Sequence, residues 1–138
     1  MSCPFCDRTN EKHRILVEKE HCFVMLSNPR LTPGHLLVIP KRHVEKPSEM
    51  NDAERREVFD TVIEYQDKIT ARYATGCDVR QNYRPFLKES SVKVDHVHYH
   101  LLPRELEDEM YKKTQGPTHE LFQPLTDEER VKFGEIYR

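Results

Sequence analysis

The sequence predicts an α+β fold: an antiparallel sheet of about five strands, one long helix across it, and a shorter C-terminal helix. Three observations carry this. First, histidines alternate with apolar residues in His96-Val97-His98-Tyr99-His100-Leu101-Leu102-Pro103-Arg104. Side chains change face at each residue of a strand, so His96, His98 and His100 share one face while Val97, Tyr99 and Leu101 point into a core. A helix does not align positions two apart. Second, stretches rich in Ile, Leu, Val and Phe recur between turn residues up to Pro40, as strands bounded by turns do. Third, Asn51-Asp52-Ala53-Glu54 is a capping box, and Phe59, Val62, Ile63, Gln66, Ile69 and Tyr73 follow it at helical spacing.

The composition bounds what such a fold can do. A chain of 138 residues is expected to form one domain, 1–138, with a core of its own. Hydrophobic residues are 36% and charged residues 33%, and the mean hydropathy is -0.82. The longest apolar run, Leu36–Ile39, is far short of the roughly 20 residues that span a bilayer, so no membrane partner is expected. A net charge of -2 gives no global pull toward nucleic acid or acidic lipid. Met1-Ser2-Cys3-Pro4 lacks the basic-then-apolar pattern of a signal peptide. Four cysteines are too few for a disulfide scaffold at this size, and the expected location is the cytoplasm.

Taken in order, the chain opens with Cys3-Pro4-Phe5-Cys6. A C-x2-C spacing lets two thiolates share one tetrahedral zinc, but a redox pair or chance produces it too. A redox pair normally follows a strand and opens a helix, whereas this one starts the chain. Cys22 and Cys77 sit among apolar or β-type residues and read as ordinary buried thiols. His13–Glu18 and Cys22–Leu26 read as a β-hairpin around Lys19-Glu20-His21. Ser27-Asn28-Pro29-Arg30 is a turn. Phe5, Phe23 and Leu26 lie near it, as core or as the walls of a base-binding slot.

Pro33-Gly34 leads into the strand His35–Ile39, which Pro40 ends. A lone histidine at the head of an apolar strand is ordinarily a satisfied core group. The capped helix runs from about Asp52 to Ala74, and its charged positions, Glu54, Arg55, Arg56, Asp60 and Lys68, read as a solvated face. Asp78–Tyr83 reads as a strand, followed by the glycine-free loop 84–91. Beyond Arg104 the chain is irregular, broken at Gly116-Pro117 and Pro124, until Thr126-Asp127-Glu128-Glu129 caps a short helix toward Tyr137.

Three blocks in this order resemble the histidine triad family: the Cys3–Cys6 knuckle of its zinc-containing bacterial-type branch, Pro33-Gly34-His35-Leu36-Leu37-Val38-Ile39-Pro40-Lys41-Arg42-His43, and the triad itself. The resemblance spans about Cys3 to Arg104, a family core 1–104, and leaves 105–138 as a variable segment. It implies a HIT-like fold and a nucleotide or nucleotide conjugate as substrate. It assigns His98 as the nucleophile at the α-phosphorus, His100 and His35 to the phosphate oxygens, and Ser27 or Asn28 to the ribose. It also implies a closed structural zinc site from Cys3, Cys6, His43 and His96, no catalytic metal, and a homodimer through the long helix and a strand.

In one respect the sequence departs from the family. Relatives carry a glycine-rich run before the triad, whereas Pro85–Asp95 contains no glycine, and glycine permits close backbone approach. Ser90 and Ser91 are the residues that can replace a hydroxyl contact there, and Lys88 or Lys93 can add positive charge. The leading functional reading is therefore a nucleotidyl hydrolase or transferase. A nucleotide-binding or partner-binding module without turnover is the alternative. A nucleic-acid-end processor is disfavoured because no basic cluster accompanies the fold.

Overall fold

Five strands form one antiparallel sheet in a computed structural model of the protein, which describes residues 3–115 and 119–138. They are β1 (Ile15–Glu18), β2 (Cys22–Leu26), β3 (Leu36–Pro40), β4 (Gly76–Arg80) and β5 (Tyr99–Arg104), in the spatial order β1-β2-β3-β5-β4. The chain divides into two units, Met1–Glu105 and Leu106–Arg138. The sheet and the helix α1 (Asp52–Arg72) belong to the first.

β2 and β3 are apolar at nearly every position and buried except at Leu26, the end of β2, because both sheet faces are covered. One face packs Val24, Val38, Val97 and Leu101 against Val58, Val62, Tyr65 and Ile69 of α1. The other packs Phe23, Met25, Leu37 and Ile39 against Phe5. This second, more thinly covered face carries the histidines.

The helix forms where its cap predicts. The Asn51 side chain accepts from Glu54 N–H at 2.9 Å, and the Glu54 carboxylate accepts from Asn51 N–H at 2.8 Å. Its buried stripe differs from the expected one. Val58, Thr61, Val62, Tyr65 and Ile69 face the sheet, whereas Phe59, Ile63 and Tyr73 are 60%, 47% and 65% exposed. The spacing supports both stripes, and Thr61, polar in sequence, hides the true one. Its hydroxyl is satisfied by donation to the Glu57 carbonyl, one turn back. Glu54 is also corrected: it is buried, not solvated, because Arg42 forks onto its two carboxylate oxygens at 3.0 and 2.8 Å.

The bounds of four strands move, and β3 runs Leu36–Pro40, with His35 just ahead of it and Pro40 inside it. His13 lies in a short 3-10 turn, Thr9–Arg14, ahead of β1. β4 begins two residues earlier than expected, at Gly76, and ends at Arg80. β5 begins at Tyr99, so His96 and His98 sit in the segment leading into it. The alternation holds through that lead-in: Val97 and Leu101 are in the α1-side core, and Tyr99 packs against it. Gly34 turns the chain into β3 with φ of 81°, in the left-handed region, and a Cβ there would come within 3.1 Å of the Tyr73 ring.

In the second unit, helix α2 (Asp127–Tyr137) starts at the predicted capping box, with Thr126 accepting from Glu129 N–H. Where irregular chain was expected, short helical turns occupy Tyr111–Gln115 and His119–Leu121. Gly116 and Pro117 lie outside the described residues.

Candidate functional site

A cleft of about 670 Å³ opens on the sheet face opposite α1, lined among others by Phe5, Asn28, His35, Arg80, His98 and His100. Its chemistry is set by which nitrogen of each imidazole is already engaged. His98 Nδ1 lies 2.7 Å from the His96 carbonyl oxygen. A carbonyl only accepts, so Nδ1 carries the proton and the Nε2 lone pair is left free. Burial holds His98 below the ordinary histidine range, which keeps that lone pair unprotonated near neutral pH.

His35 and His100 form a relay. The Leu31 N–H donates to His35 Nδ1 at 3.0 Å, and His35 Nε2–H donates to His100 Nδ1 at 2.9 Å. His100 therefore carries its proton on Nε2, as a donor. Burial pushes His35 down to about 4, helped by the charges of His98 and Arg80. Burial pushes His100 down to about 3, with His98, His35, Arg80 and Arg84 adding to it. The His98 and His100 rings meet edge to face at 4.8 Å, and the Phe5 ring stands edge-on to His98 at 5.2 Å. One free imidazole lone pair and one N–H donor thus line the same cleft.

The first histidine of the row turns elsewhere. Ligand atoms of Cys3, Cys6, His43 and His96 all lie within 4.8 Å of one another. His96 Nδ1 is 3.4 Å from Cys3 Sγ, 3.6 Å from Cys6 Sγ and 3.2 Å from His43 Nδ1. Cys6 Sγ is 3.3 Å from His43 Nδ1. Ligands around a tetrahedral zinc stand roughly 3.3–3.8 Å apart, given Zn–N and Zn–S bonds of about 2.0–2.3 Å. The donor set therefore fits such an ion. The far nitrogens support the fit: His96 Nε2–H donates to the Pro40 carbonyl at 2.7 Å, and His43 Nε2 is 3.5 Å from a Glu45 carboxylate oxygen. Each contact leaves Nδ1 as the lone-pair nitrogen toward the cluster.

The remaining predicted residues also reach the cleft: Ser27, Asn28 and Ser91 line it. Ser27 Oγ donates to the Pro29 carbonyl at 2.8 Å. Asn28 is exposed, and its amide has no hydrogen bond among the described residues. Of the aromatic candidates, Phe5 lines the cleft while Phe23 is fully buried core beneath the Arg8 guanidinium. Without glycine, the segment before the triad is braced by its own side chains. Asp95 N–H donates to Glu89, Val92 N–H donates to Ser90 Oγ, and Lys93 pairs with Asp95.

Sequence reasoning missed Arg80, which lines the cleft and pairs in register with His100. Alternation groups Asp78 with Arg80, but only the β4–β5 register says which face they take. It also missed the Pro40 carbonyl, because a backbone partner leaves no mark in sequence.

Comparison with known proteins follows the same lines. A sequence model described as HIT domain matches residues 8–107. The nitrilase and fragile histidine triad fusion protein NitFhit of Drosophila melanogaster is 31% identical over 98% of this chain, which spans only 30% of that protein's length. An uncharacterised HIT-like protein of Methanocaldococcus jannaschii is 31% identical, covering 74% of this chain and 78% of its own. The adenosine 5'-monophosphoramidase hnt1 of Schizosaccharomyces pombe is 28% identical over 78% of each chain. Among solved structures, a HIT family protein from Bacillus anthracis superposes with a TM-score of 0.65 at 23% identity, covering 87% of this chain and 92% of its own. A zinc-bound histidine triad family protein from Mycobacterium smegmatis gives 0.65 at 24% identity, covering 79% of each. At these identities the structural likeness is one of fold, and it is the same α+β arrangement of five-stranded sheet and long helix. With the sequence model matched over well more than half its length, the chain belongs to the HIT domain family.

Proposed function

We propose that the protein is a nucleotidyl hydrolase or transferase that acts at the α-phosphate of a nucleotide conjugate through a covalent intermediate on His98. The observation that carries this reading is the bond from His98 Nδ1–H to the His96 carbonyl, which holds the Nε2 lone pair toward the cleft. His98 Nε2 attacks the α-phosphorus, the leaving group departs, and water then cleaves the phosphorus–nitrogen bond. His100 Nε2–H, held in that tautomer by His35, donates to a non-bridging oxygen as charge builds. Asn28, with Ser27, takes the ribose hydroxyls, and Ser91 adds a hydroxyl at the phosphate side. The phosphoramidase activity named for the Schizosaccharomyces pombe relative is of the same chemical class.

Cys3, Cys6, His43 and His96 hold one zinc in this reading. All four ligands are protein side chains, so no coordination position is left for substrate and the ion's role is structural. It ties the N-terminus and the segment after β3 to the triad. No step of the scheme uses a catalytic metal. The working form is a homodimer: Phe59, Ile63 and Tyr73 of α1 and Val79 of the edge strand β4 are exposed apolar groups, which pairing would bury. No helix among the described residues is long and apolar enough to cross a membrane, consistent with a cytoplasmic enzyme.

The test is to quench a reaction with an adenylylated substrate and map the adduct. A nucleotide on His98, labile in acid and stable in base, is the expected result. The glycine-free loop favours a second reading, a nucleotide-binding module without turnover. Nucleotide binding with no adduct from any of a panel of adenosine and guanosine substrates would establish that one instead.

A further inference from the structure

Past His100 the cleft carries positive charge that the scheme above leaves unused. Arg80 stands directly opposite His100 in the β4–β5 pairing, and cross-strand partners share a sheet face. Arg80 and Arg84 both line the cleft. Of the other cations on its wall, Arg14 is paired with Glu11 and the Leu26 carbonyl and Lys93 with Asp95, while Arg30 is exposed to solvent on the loop ahead of β3. Arg80 is half-buried, and among the described residues neither its guanidinium nor that of Arg84 meets a carboxylate. The charge of both is felt at His100, and that of Arg80 also at His35. An arginine beside neutral imidazoles and without an acid is arranged to receive an anion, because its fork matches two phosphate oxygens at once.

We propose that Arg80, assisted by Arg84, receives a phosphate of the leaving group, so that the site favours nucleotide conjugates whose leaving group is itself phosphorylated over those that expel an amine. The inference rests on the reading of His98 as nucleophile. In the step concerned, His98 Nε2 gives its lone pair to the α-phosphorus, and the bond from that phosphorus to the bridging oxygen breaks. The oxygen leaves with the electron pair, on a phosphate one charge more negative, and Arg80 meets that charge. Water later supplies its oxygen to the phosphorus, the phosphorus–nitrogen electron pair returns to Nε2, and a proton goes to solvent. An amine must instead take up a proton to leave. A guanidinium keeps its protons at any working pH, so Arg80 gives that reaction nothing.

The experiment compares kcat/KM for diadenosine triphosphate and for adenosine 5'-phosphoramidate in the full chain, wild type against Arg80→Gln. The ratio of the first to the second should fall about tenfold, the scale of one charge-assisted hydrogen bond, and Arg80→Lys should recover part of it. An unchanged ratio, with both activities falling together, would overturn the proposal and leave Arg80 as support for the fold. Adduct formation on His98 in the same samples reports separately on the underlying reading. If wild type forms no adduct, equilibrium binding decides. A preference for adenosine triphosphate over adenosine monophosphate that Arg80→Gln loses supports the proposal, and an equal preference in both proteins refutes it.

Discussion

His96 and His100 are the two ends of one row of imidazoles, four residues apart on the same face, and their surroundings make them different groups. At His96 the Nε2–H is held by the Pro40 carbonyl and Nδ1 looks toward two thiols and His43. At His100 the orientation is reversed: Nδ1 is filled by the donor from His35 and Nε2–H is offered to the cleft. His98 between them donates from Nδ1 and keeps Nε2 free. A histidine's role in this row is therefore set by the partner on its other nitrogen, not by its place in the repeat. The comparison yields predictions that separate the ends.

The largest effect belongs to the metal end. Purified protein should carry about one zinc per chain, and a double Cys3→Ser, Cys6→Ser variant should lose it and melt earlier. A structural zinc contributes on the order of 10 kcal/mol to small folding units. His96→Ala should follow the same course, losing metal and stability before chemistry. Elemental analysis without zinc, together with unchanged melting in chelator, would remove the metal role from all four residues.

Next in size is the middle of the row. His98→Ala should abolish both adduct and turnover, a loss of about 10⁴-fold or more, as for other covalent nucleophiles, with zinc content unchanged. Near-full activity in that variant, or an adduct mapped to His96 or His100, would reverse the assignment of roles. His100→Ala should cost less, about 10²–10³-fold in kcat, the scale of one lost oxyanion donor, and a trace of adduct should still form. A loss as large as that of His98→Ala would argue that His100 does more than stabilise charge.

What the sequence made legible follows from where the information sits. The period-two row placed His96, His98 and His100 on one face, and the apolar runs placed β1, β2 and β3 within a few residues. The capping boxes at Asn51 and Thr126 located both helix starts. Such features are local, and local pattern is what sequence displays. The rest depends on register or on backbone. The buried stripe of α1 could not be chosen between two equally spaced sets until its contacts with the sheet were known. Arg80 could not be assigned to the site without the pairing Arg80↔His100. Glu54 looks like any charged helix residue until Arg42, from the segment after β3, is seen to fork onto its buried carboxylate. The resemblance grouped Cys3, Cys6, His43 and His96. The orientation of His96 rests on the Pro40 carbonyl, a backbone group that no side-chain pattern announces.

The smallest expected effect sharpens the catalytic end and is read in stability against pH. His35 and His100 sit near 4 and 3, below the unfolded histidine value of about 6.5. Between those limits the unfolded chain binds a proton at each position that the folded chain refuses. Stability contributed by their neutral state is thus fully present above pH 6.5 and is lost as pH falls toward the folded values. The groups facing His100 reinforce this sign: His35 ahead of β3, His98 from its own segment, Arg80 of β4 and Arg84 of the following loop all disfavour a second positive charge. Zinc release in acid also weakens the fold, so the wild-type slope alone does not isolate the pair. His100→Asn does, because its side-chain oxygen can accept from His35 Nε2–H as Nδ1 did, while the titrating group is gone and the metal ligands are unchanged. The slope of unfolding free energy between pH 6.5 and 4 should flatten in this variant by up to about 1.4 kcal/mol per pH unit, one proton's worth. Denaturant unfolding at a series of pH values measures it. Parallel slopes for the two proteins would mean that His100 takes up its proton in the folded state as readily as in the unfolded one, and the neutral donor assigned to it would have to be given up.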